Sequence, residues 1–347
     1  PVSLLAWFRD NKPEVLEKTK YIFAVKDYIR YCLTGEAYSE YTDCSGGNLV
    51  NMVTKQHDRE LMALYGLEDC YDKLPPLKYS ADICGYVTEE ASEKTLLPEG
   101  TPVAAGMFDV NACGIASGLC GEEDMCMIAG TWSINEFIRK EPVLNGTVAL
   151  NSMFCMPGYF LIEESSPTSA GNMEWFIKNL MNYEKKEAKE NGGSVYDITN
   201  EWAASIEPQD SNVIFLPFLN GSNEDPLAKG TFVGLTAYHS KKHMLRAVYE
   251  GIVFSHMTHV KKLLRSREVP KSMSRPGGAA NSDVWVQIFA DALQIPIDVV
   301  GDKELGAQGA AMAAGIATGV YKDYREAIEK TVKITETIYP RPEYKEI

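Results

Sequence analysis

The sequence predicts an α/β protein of two domains, on three observations. A chain of 347 residues is too long for one compact core. The stretch 101–118, TPVAAGMFDVNACGIASG, reads as a short apolar strand, Val103 to Met107, entering a helix with small residues at Ala112, Gly114, Ala116 and Gly118. Roughly the last hundred residues repeat a strand–loop–helix unit.

Taken in order, VSLLAWF after Pro1 is an amphipathic helix with proline in its first turn, which reads as an entry into the middle of a domain. A second helix is expected over 13–33, ended by Thr34-Gly35, then a loop at 41–48, a polar helix near 57–65 and a strand near 84–87. The central strand and helix follow, and the charged break Gly121-Glu122-Glu123-Asp124 is the expected domain boundary. Apolar 125–129 and alternating 132–138 form a hairpin with Gly130-Thr131 at its tip. Strands are expected within 148–163, then an amphipathic helix with Thr168 or Ser169 as cap, and a solvated helix end at 184–193 closed by Gly192-Gly193. Residues 214–226 read as a strand and polar loop, and 240–265 as a long helix. Next come the glycine-rich loop 275–282, the helix DVWVQIFADAL, the strand IPIDVV and a small-residue helix over 306–319 that packs closely on its neighbours.

Composition removes several classes of function. A net charge of −14 opposes a nucleic-acid or anionic-membrane partner. A phosphorylated ligand would need backbone N–H groups, a metal ion or a few local cations. No signal peptide or membrane span is visible. The eight cysteines form no CxxC pair, which predicts free thiols in a reducing cytoplasm. The pairs His239/His243 and His256/His259 have helical spacing but no third ligand nearby, so a structural role is expected.

Three places could carry chemistry. Asp109 opens a helix, where N–H groups and the dipole favour an anion, so it is either a proton acceptor facing a cleft or a plain helix cap. Gly130-Thr131 offers N–H groups and a hydroxyl to an anion. Gly277-Gly278 lets backbone approach a flat or anionic ligand in front of a helix N-terminus. Neither GxxxxGK[ST] nor GxGxxG occurs.

These residues carry a resemblance. GTFVGLTAYHSKKHMLRAVYEG (230–251) is similar to the C-terminal signature of the FGGY carbohydrate kinases, and GMFDVNACGIASG to the family's strand–Asp–helix. Gly130-Thr131 resembles its second phosphate motif and RPGGAANSDVWVQ its adenosine motif. PVSLLAWF, SSPTSAGNMEWF, FLPFLNGSN and YEGIVFSHMTH look most like the L-xylulose kinases. The resemblance implies an actin-like ATPase (ribonuclease H-like) two-domain α/β fold. Residues 1–124 would belong to the sugar-binding N-terminal domain and 125–347 to the nucleotide-binding C-terminal domain. It implies Asp109 as general base, Phe108 and Asp109 at the sugar, and Gly130, Thr131, Gly171, Gly277, Gly278, Asn281 and Ser282 at ATP, with Mg²⁺ offsetting the triphosphate charge. The implied reaction is phosphorylation of a ketopentose such as L-xylulose to its 5-phosphate, with D-xylulose or another FGGY substrate as the alternative. A cytoplasmic protein is implied, and a homodimer accords with the family's habit.

Two departures are expected to matter. Gly221-Ser222-Asn223 stands where many members carry Gly-Glu-Arg, so no arginine contact is assigned there. The Asp-x-Gly-Thr turn that opens the family fold is absent, so the first domain is expected to lack its front part and the chain alone to turn over little sugar. The competing class is a truncated, non-catalytic nucleotide-binding module. It is disfavoured because missing core strands would expose sheet edge and apolar surface.

Overall fold

The computed structural model describes residues 1–130, 132–276, 282–301 and 304–346. Its centre is a seven-stranded mixed sheet drawn wholly from residues after 124, in the order Ile334–Ile338, Ile297–Val300, Met273–Pro276, Met125–Ala129, Ser133–Arg139, Phe160–Ser166 and Leu150–Met153. The three strands 297–300, 273–276 and 125–129 run parallel, and the flanking strands are antiparallel. Residues 1–124 contribute two small two-stranded sheets, Ser39–Glu40 with Leu77–Lys78 and Ile83–Tyr86 with Pro102–Ala104.

Both faces of the large sheet are covered, because each strand sends alternate side chains to opposite sides. On one face lie the helices Gly171–Leu180, Lys241–Leu263 and Asp283–Leu293, around Phe176, Tyr249, Trp285 and Phe289. On the other lie Asp109–Ala116, Leu305–Ala317 and Tyr324–Thr331, around Ile115, Leu161, Met312 and Ala327. The small faces of two of these helices meet as their composition predicts. A Cβ on Gly309 would stand 2.2 Å from the Ala112 carbonyl oxygen.

Four local expectations are corrected. The helix over 13–33 is two helices, Pro13–Lys18 and Val25–Thr34. Between them the chain is extended, with Ile22 N donating to the Lys73 carbonyl at 2.9 Å and Tyr21 and Phe23 packing on Tyr31. The loop at 41–48 contains the short helix Tyr41–Gly46, which the buried Glu40 carboxylate caps by accepting from Thr42 N and Asp43 N. The strand before Asp109 is only Pro102–Ala104. Thr168 and Ser169 cap nothing, because helix Gly171–Leu180 has no side-chain cap and both hydroxyls turn to other partners.

Candidate active site

Asp109 is the first residue of helix Asp109–Ala116 and the exposed one in a helix otherwise largely buried. The helix cap is Phe108, so the capping reading of Asp109 fails in its strict form. Its Oδ1 accepts from Val110 N at 2.8 Å, and its Oδ2 has no hydrogen-bond partner among the described residues. The entry to the helix is held from the N-terminal region, where the Thr42 hydroxyl oxygen accepts from Phe108 N at 2.7 Å and itself donates to Glu40 at 2.6 Å. Thr42 is thereby committed to the backbone on which Asp109 stands. Beyond it lies a buried ionic cluster, in which Lys26 Nζ is 2.9 Å from Asp27 and 3.0 Å from Asp43. Burial pulls the Lys26 ammonium down, but Glu40, Asp43 and Asp27 outweigh it and hold it above the ordinary lysine value.

Beneath the helix, Gly114 makes room for a carboxyl group, since a Cβ there would lie 2.7 Å from Glu136 Oε1. Glu136 pairs across the sheet with Glu163, so the two side chains share one face. Burial pushes Glu136 well above the carboxylate range, and Glu163 adds to it; burial raises Glu163 as well. Cys126 Sγ donates to Glu136 Oε1 at 3.2 Å, while the Oε2 atoms of both glutamates have no partner among the described residues. No cation among the described residues offsets this, so burial favours the neutral form of Glu136. Burial, then Glu136 and Asp109, push the Cys113 thiol up to about 12.

Gly130 ends the strand Met125–Ala129 in open space, where a Cβ would meet nothing nearer than the Trp132 carbonyl oxygen at 3.9 Å. Its own carbonyl accepts from Ala170 N at 2.9 Å, one residue before Gly171 opens the next helix. Gly130 and Gly171 are therefore brought together. Ser282 caps helix Asp283–Leu293, its hydroxyl oxygen accepting from Trp285 N at 3.1 Å. Thr131, Gly277, Gly278 and Asn281 lie outside the described residues.

The sequence reading missed several groups here. Arg275, expected as the first residue of the glycine-rich loop, lies instead in strand Met273–Pro276, buried with its guanidinium over Trp285 and Phe289, and burial brings it down to about 10. Asn223, in the segment that departs from Gly-Glu-Arg, donates from Nδ2 to the Ser165 carbonyl at 2.5 Å, and Asn220 to Pro167 at 3.2 Å. These two bonds pin the loop over the strand end that leads to Gly171. Their only sequence signal was the polar run itself. The alternation of Asn135 and Glu136 was the available signal for groups on the two sheet faces.

Sequence profiles decide the family. The profile described as the FGGY family of carbohydrate kinases, C-terminal domain, matches residues 125–318, and the N-terminal domain profile matches 1–116. The chain belongs to the FGGY family. Both family domains are represented, so the expectation of a first domain without its front part finds no support in these matches. The chain is 36% identical over 317 residues to a probable L-xylulose kinase of Haemophilus influenzae, covering 90% of this chain and 63% of that protein. It is 34% identical over 347 residues to the L-xylulose/3-keto-L-gulonate kinase of Escherichia coli, covering 98% and 66% respectively. It thus spans just under two thirds of the length of these relatives. The crystal structure of ligand-bound xylulose kinase from Lactobacillus acidophilus superposes with a TM-score of 0.88 at 23% identity, covering all of this chain and 69% of that one. The fold is the α/β two-domain fold of FGGY sugar kinases. Among the described residues of this FGGY chain, no helix is long and apolar enough to cross a membrane.

Proposed function

We propose that this FGGY chain carries the general base and nucleotide turns of an ATP-dependent sugar kinase acting on a ketopentose, with L-xylulose the first substrate to test. Family membership supports the reaction class, and the relatives named as L-xylulose kinases support the sugar. The observation that carries the assignment of the base is the state of Asp109, which is exposed at a helix N-terminus with one oxygen held by Val110 N and the other without a hydrogen-bond partner among the described residues.

In this reading residues up to 124 face the sugar and those from 125 the nucleotide. Phe108 lies beside the sugar, and Asp109 takes the proton from the sugar hydroxyl as that oxygen bonds to the γ-phosphorus and ADP leaves. Gly130 and Thr131 hold the β- and γ-phosphates, the former with no described side chain within 4 Å of where its Cβ would stand. Gly171 lies on one side of the nucleoside, with Gly277, Gly278, Asn281 and Ser282 on the other. Among the described residues no group of three or more His, Cys, Asp or Glu is placed to hold a metal ion. Mg²⁺ is therefore given no protein ligand and no step. A homodimer remains part of the proposal.

The test is ketose-dependent ADP release by the protein, with L-xylulose, D-xylulose, L-ribulose and a 3-keto sugar acid compared side by side, together with calorimetric titration of ADP. Release with L-xylulose foremost is expected. A protein that binds ADP but prefers another ketose moves the substrate assignment. One that neither binds ADP nor releases it overturns the kinase reading.

A further inference from the structure

The long helix Lys241–Leu263 carries two buried histidines one turn apart, and each reaches a serine in the segment leading to Gly171. His259 Nε2 is 3.1 Å from Ser166 Oγ, and its Nδ1 is 3.2 Å from Glu164 Oε2. His256 Nε2 is 3.0 Å from Ser169 Oγ, and its Nδ1 is 3.0 Å from Asn135 Oδ1.

The direction of the His256 bonds follows from their far ends. Asn135 Nδ2 faces the Ser133 hydroxyl and the Glu164 carbonyl, so Oδ1 is the atom turned to the imidazole and can only accept. Nδ1 of His256 therefore carries the proton and donates. Nε2 is left as the acceptor, and the Ser169 hydroxyl donates to it. Burial, then His259 and Arg275, bring His256 down to about 3, so the ring stays neutral and this pattern persists across the physiological range.

Ser169 is fixed at its other end too. Its carbonyl accepts from Asn172 N at 2.9 Å and from Asn172 Nδ2 at 3.1 Å. The next residue, Ala170, donates its N–H to the Gly130 carbonyl, and the one after is Gly171. Asn135, on the strand returning from the Gly130 hairpin, closes the circuit. His256 thus ties the hairpin strand to the start of the helix that Gly171 opens, by a route separate from the Ala170–Gly130 bond.

We propose that His256 is a positioning residue for the nucleotide, holding Ser169 so that the Gly130 and Gly171 turns keep the spacing a bound nucleotide requires. The role rests on the nucleotide reading above. His256 acts through Ser169 and Asn135 and is itself fully buried.

The test measures ADP affinity by titration calorimetry and the KM for the ketose in wild type, Ser169→Ala, Ser169→Thr, His256→Leu and the Ser169→Ala/His256→Leu pair. Ser169→Ala deletes one hydroxyl, and it decides the matter if His256→Leu does not fold. Ser169→Ala is expected to weaken ADP binding about tenfold with the ketose KM unmoved, as loss of one buried hydrogen bond would. Ser169→Thr, which keeps the hydroxyl, restores the affinity, and the double variant is no weaker than the poorer single one. A lowered melting temperature with ADP affinity within about twofold of wild type makes the network merely structural and overturns the proposal. Wild type that fails to bind ADP overturns the kinase reading itself, a result distinct from the first.

Discussion

Gly309 lies against the carbonyl oxygen of Ala112, so close that a methyl group between them would stand 2.2 Å from that oxygen. The helix that begins with Asp109 packs closely on helix Leu305–Ala317 at this contact. Gly309→Ala must push the two helices apart, and a loss of about 2–3 kcal/mol is expected in chemical denaturation. Gly306→Ala, whose Cβ would meet only Cys113 Sγ at 4.0 Å, should be neutral or gain up to ~1 kcal/mol. Equal losses in the two variants would show that the contact does not matter.

Asp109→Asn keeps the shape of the site and removes the proton acceptor. Turnover in the ADP-release assay should fall by about 10²–10⁴-fold, with ADP affinity by calorimetry unchanged. An Asn variant with wild-type turnover retires Asp109 as the base.

Glu136 has a raised pKa in the folded chain, so its contribution to stability is present in full below the unfolded value near 4.5 and is lost as pH rises through the folded value. Glu136→Gln should therefore be more stable than wild type at neutral pH, with the advantage shrinking toward acid. Urea midpoints across that range measure it. An advantage that grows as pH falls contradicts a protonated Glu136.

His256 has the opposite sign. Its folded pKa of about 3 lies below the ordinary 6.5, so the stability it confers is present above 6.5 and is lost as pH falls toward 3. The full span is on the order of 5 kcal/mol. His256→Gln, which has nothing to protonate, should flatten the acid arm of the stability profile. An acid arm of unchanged steepness places the acid sensitivity elsewhere.

Much of the framework was legible because local pattern and tertiary role agree. The apolar run at Met125–Ala129, the small residues around Ala112 and Gly309, and the long helix ending near Leu263 all form as their periodicity predicts. Legibility failed where a distant partner decides. Glu40 turns an apparent loop into a helix at Tyr41–Gly46 because Ser80 and Thr42 satisfy its buried carboxylate. Ser169 looked like a cap, but the imidazole of His256, 87 residues away, claims its hydroxyl. The histidine spacing was visible in the sequence, whereas the serines it serves were not. Gly130, Ser282 and Asp109 stood out as turn or helix-start residues, whereas Gly171 entered only through the family resemblance.

The strand Ser133–Arg139 turns Asn135 toward the imidazole of His256 and Glu136 toward the helix of Asp109. Two neighbouring letters thus belong to two separate neighbourhoods. Inserting a single residue between the hairpin tip and Asn135 would place the amide where the acid belongs, and deleting one would set the acid against the imidazole. Length variation in this hairpin should therefore be tolerated in steps of two, and a library of one- and two-residue insertions would separate into dead and living clones by parity.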